Sequence, residues 1–154
     1  MGYNEALLFF LFLVVFPHNN IIMRTFLKGP RVYLRSVELA TDIPLIASWI
    51  NDGIVTNFMF YGQLPTTLSQ VEKMIVDQFS SPANVVFMVC DNATQKPIGF
   101  AGLYDMHLTA RKAEFRVLIG ETDFWGKGYG TEVTQLLTFY GFDRMNMHRM
   151  YLGV

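Results

Sequence analysis

A glycine-rich segment in the second half of the chain has the composition best suited to chemistry. Residues 125–131 read Trp-Gly-Lys-Gly-Tyr-Gly-Thr. Glycines let a backbone approach a ligand oxygen closely, successive N–H groups can point into one concavity, and a following helix start adds partial positive charge. The segment therefore predicts a cradle for an anion such as a diphosphate. A tight strand-to-helix turn that binds nothing would also explain the glycines, so the surrounding elements must decide.

The spacing of these glycines excludes two common phosphate-binding motifs. A P-loop has a first glycine and then, after a longer gap, Gly-Lys followed directly by Ser or Thr. Here Lys127 is followed by Gly128. A dinucleotide-binding fold places its glycine turn inside a β-α-β unit. Here antiparallel strands are predicted to precede the loop, so neither motif applies.

The elements that must position this loop follow from hydrophobic periodicity, which is two in strands and about 3.6 in helices. Strands are predicted at 30–35, 85–90, 96–106, 112–120 and 147–154. Helices are predicted at 42–50, with Asp42 as N-terminal cap and Pro44 in the first turn, at 67–80, beginning with Thr67, and at about 128–144. Three consecutive antiparallel strands followed by one crossover predict an α+β fold in a single domain.

Composition excludes several classes of protein. Of 154 residues, 51% are hydrophobic and 16% are charged, which is typical of a compact domain. Twelve basic and thirteen acidic residues give a net charge of -1, so binding to nucleic acid or to an anionic membrane is not predicted. The single cysteine, Cys90, lies in an apolar run and is predicted to be buried. His107 and His148 lack the spacing of metal ligands, so no metal site is predicted.

The first 22 residues are predicted to lie outside the domain. Residues 6–16 form an apolar run that is too short to span a membrane, which takes about 20 residues. No Lys or Arg precedes the run and no small-x-small site follows, which argues against a signal peptide, although that alternative stays open. Translation from Met23 is the favoured interpretation, because a domain-like segment follows it directly. The predicted domain is 23–154.

The glycine loop and its flanks carry a resemblance to a known family. Lys112-Ala113-Glu114-Phe115-Arg116-Val117-Leu118-Ile119 precedes the loop, and Tyr140-Gly141-Phe142 follows it. Over about 32–154 this order resembles the GCN5-related N-acetyltransferases (GNAT), particularly the subgroup of ribosomal-protein and spermidine N-acetyltransferases. The resemblance implies a mixed, mainly antiparallel sheet flanked by helices, and a chain that lacks the family's C-terminal helix and last strands.

The family's site implies acetyl-CoA as co-substrate and assigns roles by position. The backbone of Val117, Leu118 and Ile119 would pair with the pantetheine arm. The pyrophosphate would be bound by the residues of the glycine loop, which are Trp125, Gly126, Lys127, Gly128, Tyr129, Gly130 and Thr131. Trp125 stands where the family usually has Gln or Arg, so the contacts there would come from backbone alone.

Glu114 is the candidate general base, because acetyl transfer needs a neutral amine. On an alternating strand Glu114, Arg116 and Leu118 share one face, which would place the carboxylate beside the thioester. The alternative is an exposed carboxylate paired with Arg116 or Lys112. The family's usual proton donor is a Tyr beyond the last residue of this chain, and Tyr151, which lies within a strand, does not replace it.

The acceptor is predicted to be a peptide N-terminus or a small amine. The aromatic loop 58–61 and Trp49 could form an acceptor wall or simply pack in the core. Residues 58–64 contain no carboxylate, which disfavours a polycation such as spermidine. We therefore predict a cytoplasmic N-acetyltransferase that works in a ternary complex. An exposed sheet edge would also be compatible with a homo-oligomer and would leave residues 1–154 poorly active alone. The alternatives are a non-catalytic CoA-binding module and an interaction domain whose glycine loop is empty.

Overall fold

The computed structural model describes residues 25–57, 59 and 62–153, and these residues form one sheet with helices on both faces. The strands are β1 Thr25–Lys28, β2 Val32–Ser36, β3 Val85–Asp91, β4 Pro97–His107, β5 Lys112–Ile119 and β6 Arg149–Tyr151. The helices are α1 Leu39–Ile50, α2 Leu68–Ser80 and α3 Tyr129–Phe139. A short 3-10 turn, Thr122–Phe124, precedes α3, and a π-helical turn, Tyr140–Arg144, follows it.

The six strands lie in the sheet in the order in which they occur along the chain. Each neighbouring pair from β1 to β5 is antiparallel, and β6 pairs with β5 in parallel after the crossover through α3. The mixed, mainly antiparallel α+β sheet expected from the sequence is therefore confirmed. Within the part of the chain that the structure describes, no helix has the length and apolar character needed to cross a bilayer.

Alternation along the strands builds a separate hydrophobic cluster on each face of the sheet. On one face Met88 and Leu118 pack with Ile46 of α1 and Ile75 of α2. On the other face the sheet packs against α3 through a second cluster of buried residues, which includes Leu34, Val89, Leu103, Val133 and Leu137. The sheet is thus covered on both sides, and the glycine loop emerges where β5 passes over to α3.

The start of α1 was predicted wrongly. The helix begins at Leu39, so Asp42 is inside the first turn and Pro44 is in the second. Asp42 still satisfies a helix-terminal donor, since its carboxylate accepts the N–H of Glu38 at 2.7 Å. It also forms a buried ion pair with Arg35, at 2.6 Å between Nη1 and Oδ2. The charge of Arg35 on β2 therefore fixes Asp42, which the local pattern could not show.

The other predicted elements are all present, with differences in their bounds. Thr67 caps α2 in a capping box with Gln70, as a hydroxyl before an apolar run predicts. The predicted helix 128–144 divides into α3 and the π-helical turn. Strand β6 is shorter than predicted, and β1 was not predicted at all. The predicted leader, residues 1–22, lies outside the described residues, and the proposed domain start at Met23 does so too.

Candidate active site

The glycine loop adopts a backbone that only glycine takes up readily. Gly126 has φ of 70° and Gly128 has φ of 80°, both in the left-handed region. Gly128 is the N-cap of α3 and provides no side chain to cap the helix. The N–H groups of the first helical turn, which begins with Tyr129 and includes Gly130 and Thr131, have no partner within the helix. Among the described residues these N–H groups have no acceptor, so the loop presents donors at the positive end of α3, as an anion site requires.

The loop's side chains point away from this row of donors or into solvent. Lys127 and Thr131 are exposed. The hydroxyl of Tyr129 donates to Oδ1 of Asp91 at 3.1 Å, which turns the phenol towards the end of β3. An anion at the loop would therefore meet backbone N–H groups first, with the charge of Lys127 nearby.

The indole of Trp125 forms a hydrogen bond within the protein. Its Nε1 donates to the carbonyl of Ile119 at 2.8 Å, closing the turn between β5 and the glycine loop. The side chain is 42% exposed, so the ring lies on the surface of this turn. The role of Trp125 in binding a ligand stays a prediction.

Part of β5 has an edge that no strand of the described residues covers, and this edge leads directly to the loop. Among the described residues, β6 pairs with β5 only at Lys112, Ala113 and Glu114. Beyond Glu114, residues 115–119 pair with β4 on one side, and no described strand covers the other side. A strand edge that no described strand covers therefore ends at the anion cradle, with the carbonyl of Ile119 already bound by the Trp125 indole.

Backbone direction decides which residues of β5 can use that edge. The N–H of Gly120 donates to Ile98 of β4 at 2.8 Å. Since backbone groups alternate along a strand, Leu118 also faces β4, whereas Val117 and Ile119 face the open edge. The side chain of Leu118 is buried in the core. Of the three residues assigned to the pantetheine arm by resemblance, Leu118 thus cannot offer backbone hydrogen bonds to a ligand there.

Glu114 lies at the other end of this edge, on the face covered by α1 and α2. Its carboxylate accepts two hydrogen bonds of 2.9 Å from Nε and Nη2 of Arg116. These hydrogen bonds, with the positive charge, outweigh partial burial and hold the pKa of Glu114 below its usual range. Arg116 also lies 4.5 Å from the ring centroid of Tyr104 and 3.7 Å from Oδ2 of Asp105. The pairing with Arg116 considered from the sequence is present, and it leaves Glu114 ionised.

Arg31 and Glu132 are two residues of this site that the sequence did not reveal. Nε of Arg31 donates to Oε2 of Glu132 at 2.9 Å, and its guanidinium also donates to the carbonyls of Lys127 and Gly128. Burial opposes ionisation of Glu132, but hydrogen bonds from Arg31 and the Val32 N–H outweigh it and lower the pKa. An acidic residue in a first helical turn is common, so no local signal pointed to a partner near β2.

Trp49 belongs to the core. It is 4% exposed, packs in the cluster beneath α1, and donates from Nε1 to Oε1 of Glu121 at 2.9 Å. Its ring also lies against Gly120, where a Cβ would collide with it. Phe58, Phe60 and Tyr61 of the aromatic loop lie outside the described residues, so the predicted acceptor wall stays a prediction.

Other reactive side chains do not form a second centre in the described part of the chain. Cys90 is buried, as predicted, and burial raises the pKa of its thiol. Nδ1 of His107 accepts the N–H of Ala110 in a turn. No group of three or more His, Cys, Asp or Glu side chains among the described residues could hold a metal ion.

Comparison with known proteins identifies the family of this chain. Residues 31–154 match the family model described as an acetyltransferase (GNAT) domain. An uncharacterised N-acetyltransferase, p20, of Bacillus licheniformis is 29% identical over 123 residues, which cover 78% of this chain and 67% of that protein.

Two solved structures share the fold. The spermidine N-acetyltransferase of Vibrio cholerae, in complex with CoA and spermine, has a TM-score of 0.70 at 24% identity, over 80% of this chain and 71% of that one. A GNAT-family acetyltransferase of Bacillus anthracis has a TM-score of 0.67 at 19% identity, over 82% of this chain and 71% of that one. The chain therefore belongs to the GNAT acetyltransferase family, a family of acyl-CoA N-acyltransferases whose co-substrate is acetyl-CoA.

Proposed function

We propose that the protein transfers an acetyl group from acetyl-CoA to a primary amine, either a peptide N-terminus or a small amine, with Glu114 as general base. The observation that carries this proposal is the continuous path along the open edge of β5. At one end the unpaired N–H groups of the glycine loop can bind a diphosphate. At the other end stands an ionised carboxylate, Glu114.

The backbone along this path would hold the acetyl donor. The N–H groups of Val117 and Ile119 face the open edge and can bond the amide and thioester carbonyls of a pantetheine arm. A hydrogen bond from N–H to the thioester oxygen would stabilise the negative charge that develops there during attack. The loop from Gly126 to Thr131 would bind the diphosphate through its N–H groups.

Glu114 would remove the proton that makes the amine unreactive. Most primary amines are protonated at neutral pH, and a protonated nitrogen has no lone pair for attack. Glu114 lies three positions before Val117, about 10 Å along β5, so a water molecule would relay the proton. The neutral nitrogen then bonds to the acetyl carbon while the carbon–sulfur bond breaks. The acylated nitrogen loses its remaining excess proton to solvent, and the departing thiolate takes up a proton from solvent, which gives the amide and the free thiol.

The charges around Glu114 support a monoamine acceptor over a polycation. Arg116 binds Glu114 with two hydrogen bonds of 2.9 Å, so its positive charge offsets that carboxylate. The exposed Asp105, 3.7 Å from Arg116, leaves these three side chains with one net negative charge. A second ammonium group would have little free negative charge to bind. The spermidine N-acetyltransferase of Vibrio cholerae, which shares this fold, was crystallised with CoA and spermine. Spermine is therefore the acceptor to test against peptides.

The test is thiol release from acetyl-CoA in the presence of a serine-terminated peptide, a small primary amine or spermine. Glu114→Gln should lower kcat by about 100-fold or more at pH 7, and part of the loss should return at alkaline pH as the amine loses its proton unaided. Glu72→Gln, an exposed carboxylate on α2, is the matched control and should retain full activity.

Two outcomes would oppose the proposal. Equal activity of Glu114→Gln and the unaltered protein across the pH range would remove Glu114 from the role of base. Tight CoA binding without amine-dependent thiol release, for any acceptor, would favour the non-catalytic CoA-binding module instead.

A further inference from the structure

Arg31, the residue before β2, makes contacts that reach the glycine loop and α3. Its guanidinium donates to the carbonyl of Lys127, to the carbonyl of Gly128 at 3.2 Å, and to Oε2 of Glu132 at 2.9 Å. It also lies 5.2 Å from the ring centroid of Tyr129. One side chain thus contacts three consecutive loop residues and the first turn of α3.

The main chain around Arg31 is held to the same helix. Oε1 of Glu132 accepts the N–H of Arg31 at 2.8 Å and the N–H of Val32 at 3.1 Å. The Glu132 side chain is 8% exposed, whereas that of Arg31 is 48% exposed. Glu132 is therefore a buried anchor on α3 that fixes where the guanidinium can stand beside the loop.

The two carbonyl contacts determine which way the loop's N–H groups point. In a trans peptide the C=O and N–H bonds are antiparallel. When Arg31 binds the carbonyl of Lys127, the N–H of Gly128 points to the opposite side. The carbonyl of Gly128 accepts the N–H of Glu132 at 3.1 Å and the guanidinium of Arg31 at 3.2 Å, and together these contacts direct the N–H of Tyr129 in the same manner. Arg31 thereby turns two donors towards the open side of the loop.

Arg31 also removes an unfavourable charge. The carboxylate of Glu132, one turn into α3, would repel an anion at the helix start. The guanidinium bonded to it neutralises that charge without occupying the open side of the loop.

We propose that Arg31 is a positioning residue for the diphosphate of the co-substrate, because it orients the N–H groups of Gly128 and Tyr129 and neutralises Glu132. This inference rests on the proposed binding of CoA at the loop. Arg is suited to this role because its planar, five-donor fork can reach a carboxylate and two carbonyls together, which the point charge of Lys cannot.

The experiment compares two ligands by calorimetry. CoA carries the diphosphate, and pantetheine carries only the arm that would lie along β5. Arg31→Gln should raise the Kd for CoA tenfold or more and leave the Kd for pantetheine unchanged. Arg31→Lys keeps the charge and should still lose most of the CoA affinity. Arg111→Gln, an exposed arginine bonded to Asn146, is the matched control and should bind both ligands normally.

The outcomes separate this inference from the proposed function. If the unaltered protein binds CoA and both Arg31 variants bind it equally well, Arg31 has no positioning role. Full rescue by Arg31→Lys, or equal loss of CoA and pantetheine, would also overturn the inference, since these results indicate charge alone or general damage. Failure of the unaltered protein to bind CoA would overturn the proposed function itself.

Discussion

Arg116 binds both carboxylate oxygens of Glu114 from two positions further along the same strand, with two hydrogen bonds of 2.9 Å. The arrangement fixes the direction of the carboxylate and keeps it ionised. It also weakens Glu114 as a proton acceptor, because a lowered pKa means a lower affinity for the proton. Pairing with Arg116 therefore makes Glu114 a weaker base, but it holds the carboxylate in one direction and keeps it charged.

The first prediction concerns the acid limb of the pH–rate profile. A base must be ionised, so activity should fall only as pH drops through the lowered pKa of Glu114. Arg116→Gln removes the cause of the lowering, and the limb should move up towards the ordinary glutamate value of about 4.3. kcat/KM measured from pH 3.5 to 7, with a carboxyl NMR titration of Glu114, checks this. An acid limb that stays in place would contradict the role given to Arg116.

The second prediction concerns acid stability and Glu132. Its folded pKa is lowered, so the stability that it contributes is complete above the unfolded pKa and is lost as pH falls through the folded pKa. Glu132→Gln should reduce the free energy of unfolding by about 1–3 kcal/mol at pH 7, with a smaller difference from the unaltered protein at pH 3. Urea unfolding at both pH values measures this. A pH-independent difference would show that ionisation of Glu132 is irrelevant.

The third prediction compares two glycines of the loop. Gly126→Ala and Gly128→Ala both force a left-handed conformation on alanine, at a cost of about 1–2 kcal/mol each. A Cβ at position 126 meets open space, whereas one at 128 comes within 3.0 Å of Arg31 Nη2. Gly128→Ala should therefore weaken CoA binding more than Gly126→Ala does, although both lower the thermal midpoint similarly. Equal CoA affinities would contradict the contact argument.

The fourth prediction concerns the buried ion pair of Arg35 and Asp42. Both side chains are almost fully buried, so Asp42→Ala leaves an uncompensated guanidinium and should cost about 3–5 kcal/mol in urea unfolding. The double variant Arg35→Met, Asp42→Leu should be less destabilised than Asp42→Ala. Asp77→Ala, which breaks an exposed pair with Lys73 on α2, is the control and should change stability little. A double variant as unstable as Asp42→Ala would contradict this account.

Features that depend on near neighbours were predictable from sequence. The cap at Thr67 was one, because its partner Gln70 is three residues away. The meander from β3 to β5 was another, since alternation and turn residues specify it locally. The glycine loop was recognised because a left-handed backbone conformation favours glycine, and the glycines are visible in the sequence.

Features that depend on distant partners were not predictable. Asp42 looked like a helix cap until β2 placed Arg35 beside it. Leu118 was grouped with Val117 and Ile119 because sequence does not show which way each backbone group faces. The residues next to Arg31 in sequence did not indicate that its guanidinium contacts the carbonyls of the glycine loop, because that contact exists only after the sheet has formed.

The bond between Arg31 and Glu132 has a consequence for how the protein is made. The two residues are 101 positions apart, and contacts of such long sequence separation form late, because loop-closure entropy must be overcome first. At a synthesis rate of about 5–20 residues per second, Glu132 is added to the chain roughly 5–20 seconds after Arg31. A nascent chain should therefore be unable to bind CoA at the glycine loop until residues 31–132 have been synthesised, so CoA binding there would report that this long-range contact has formed.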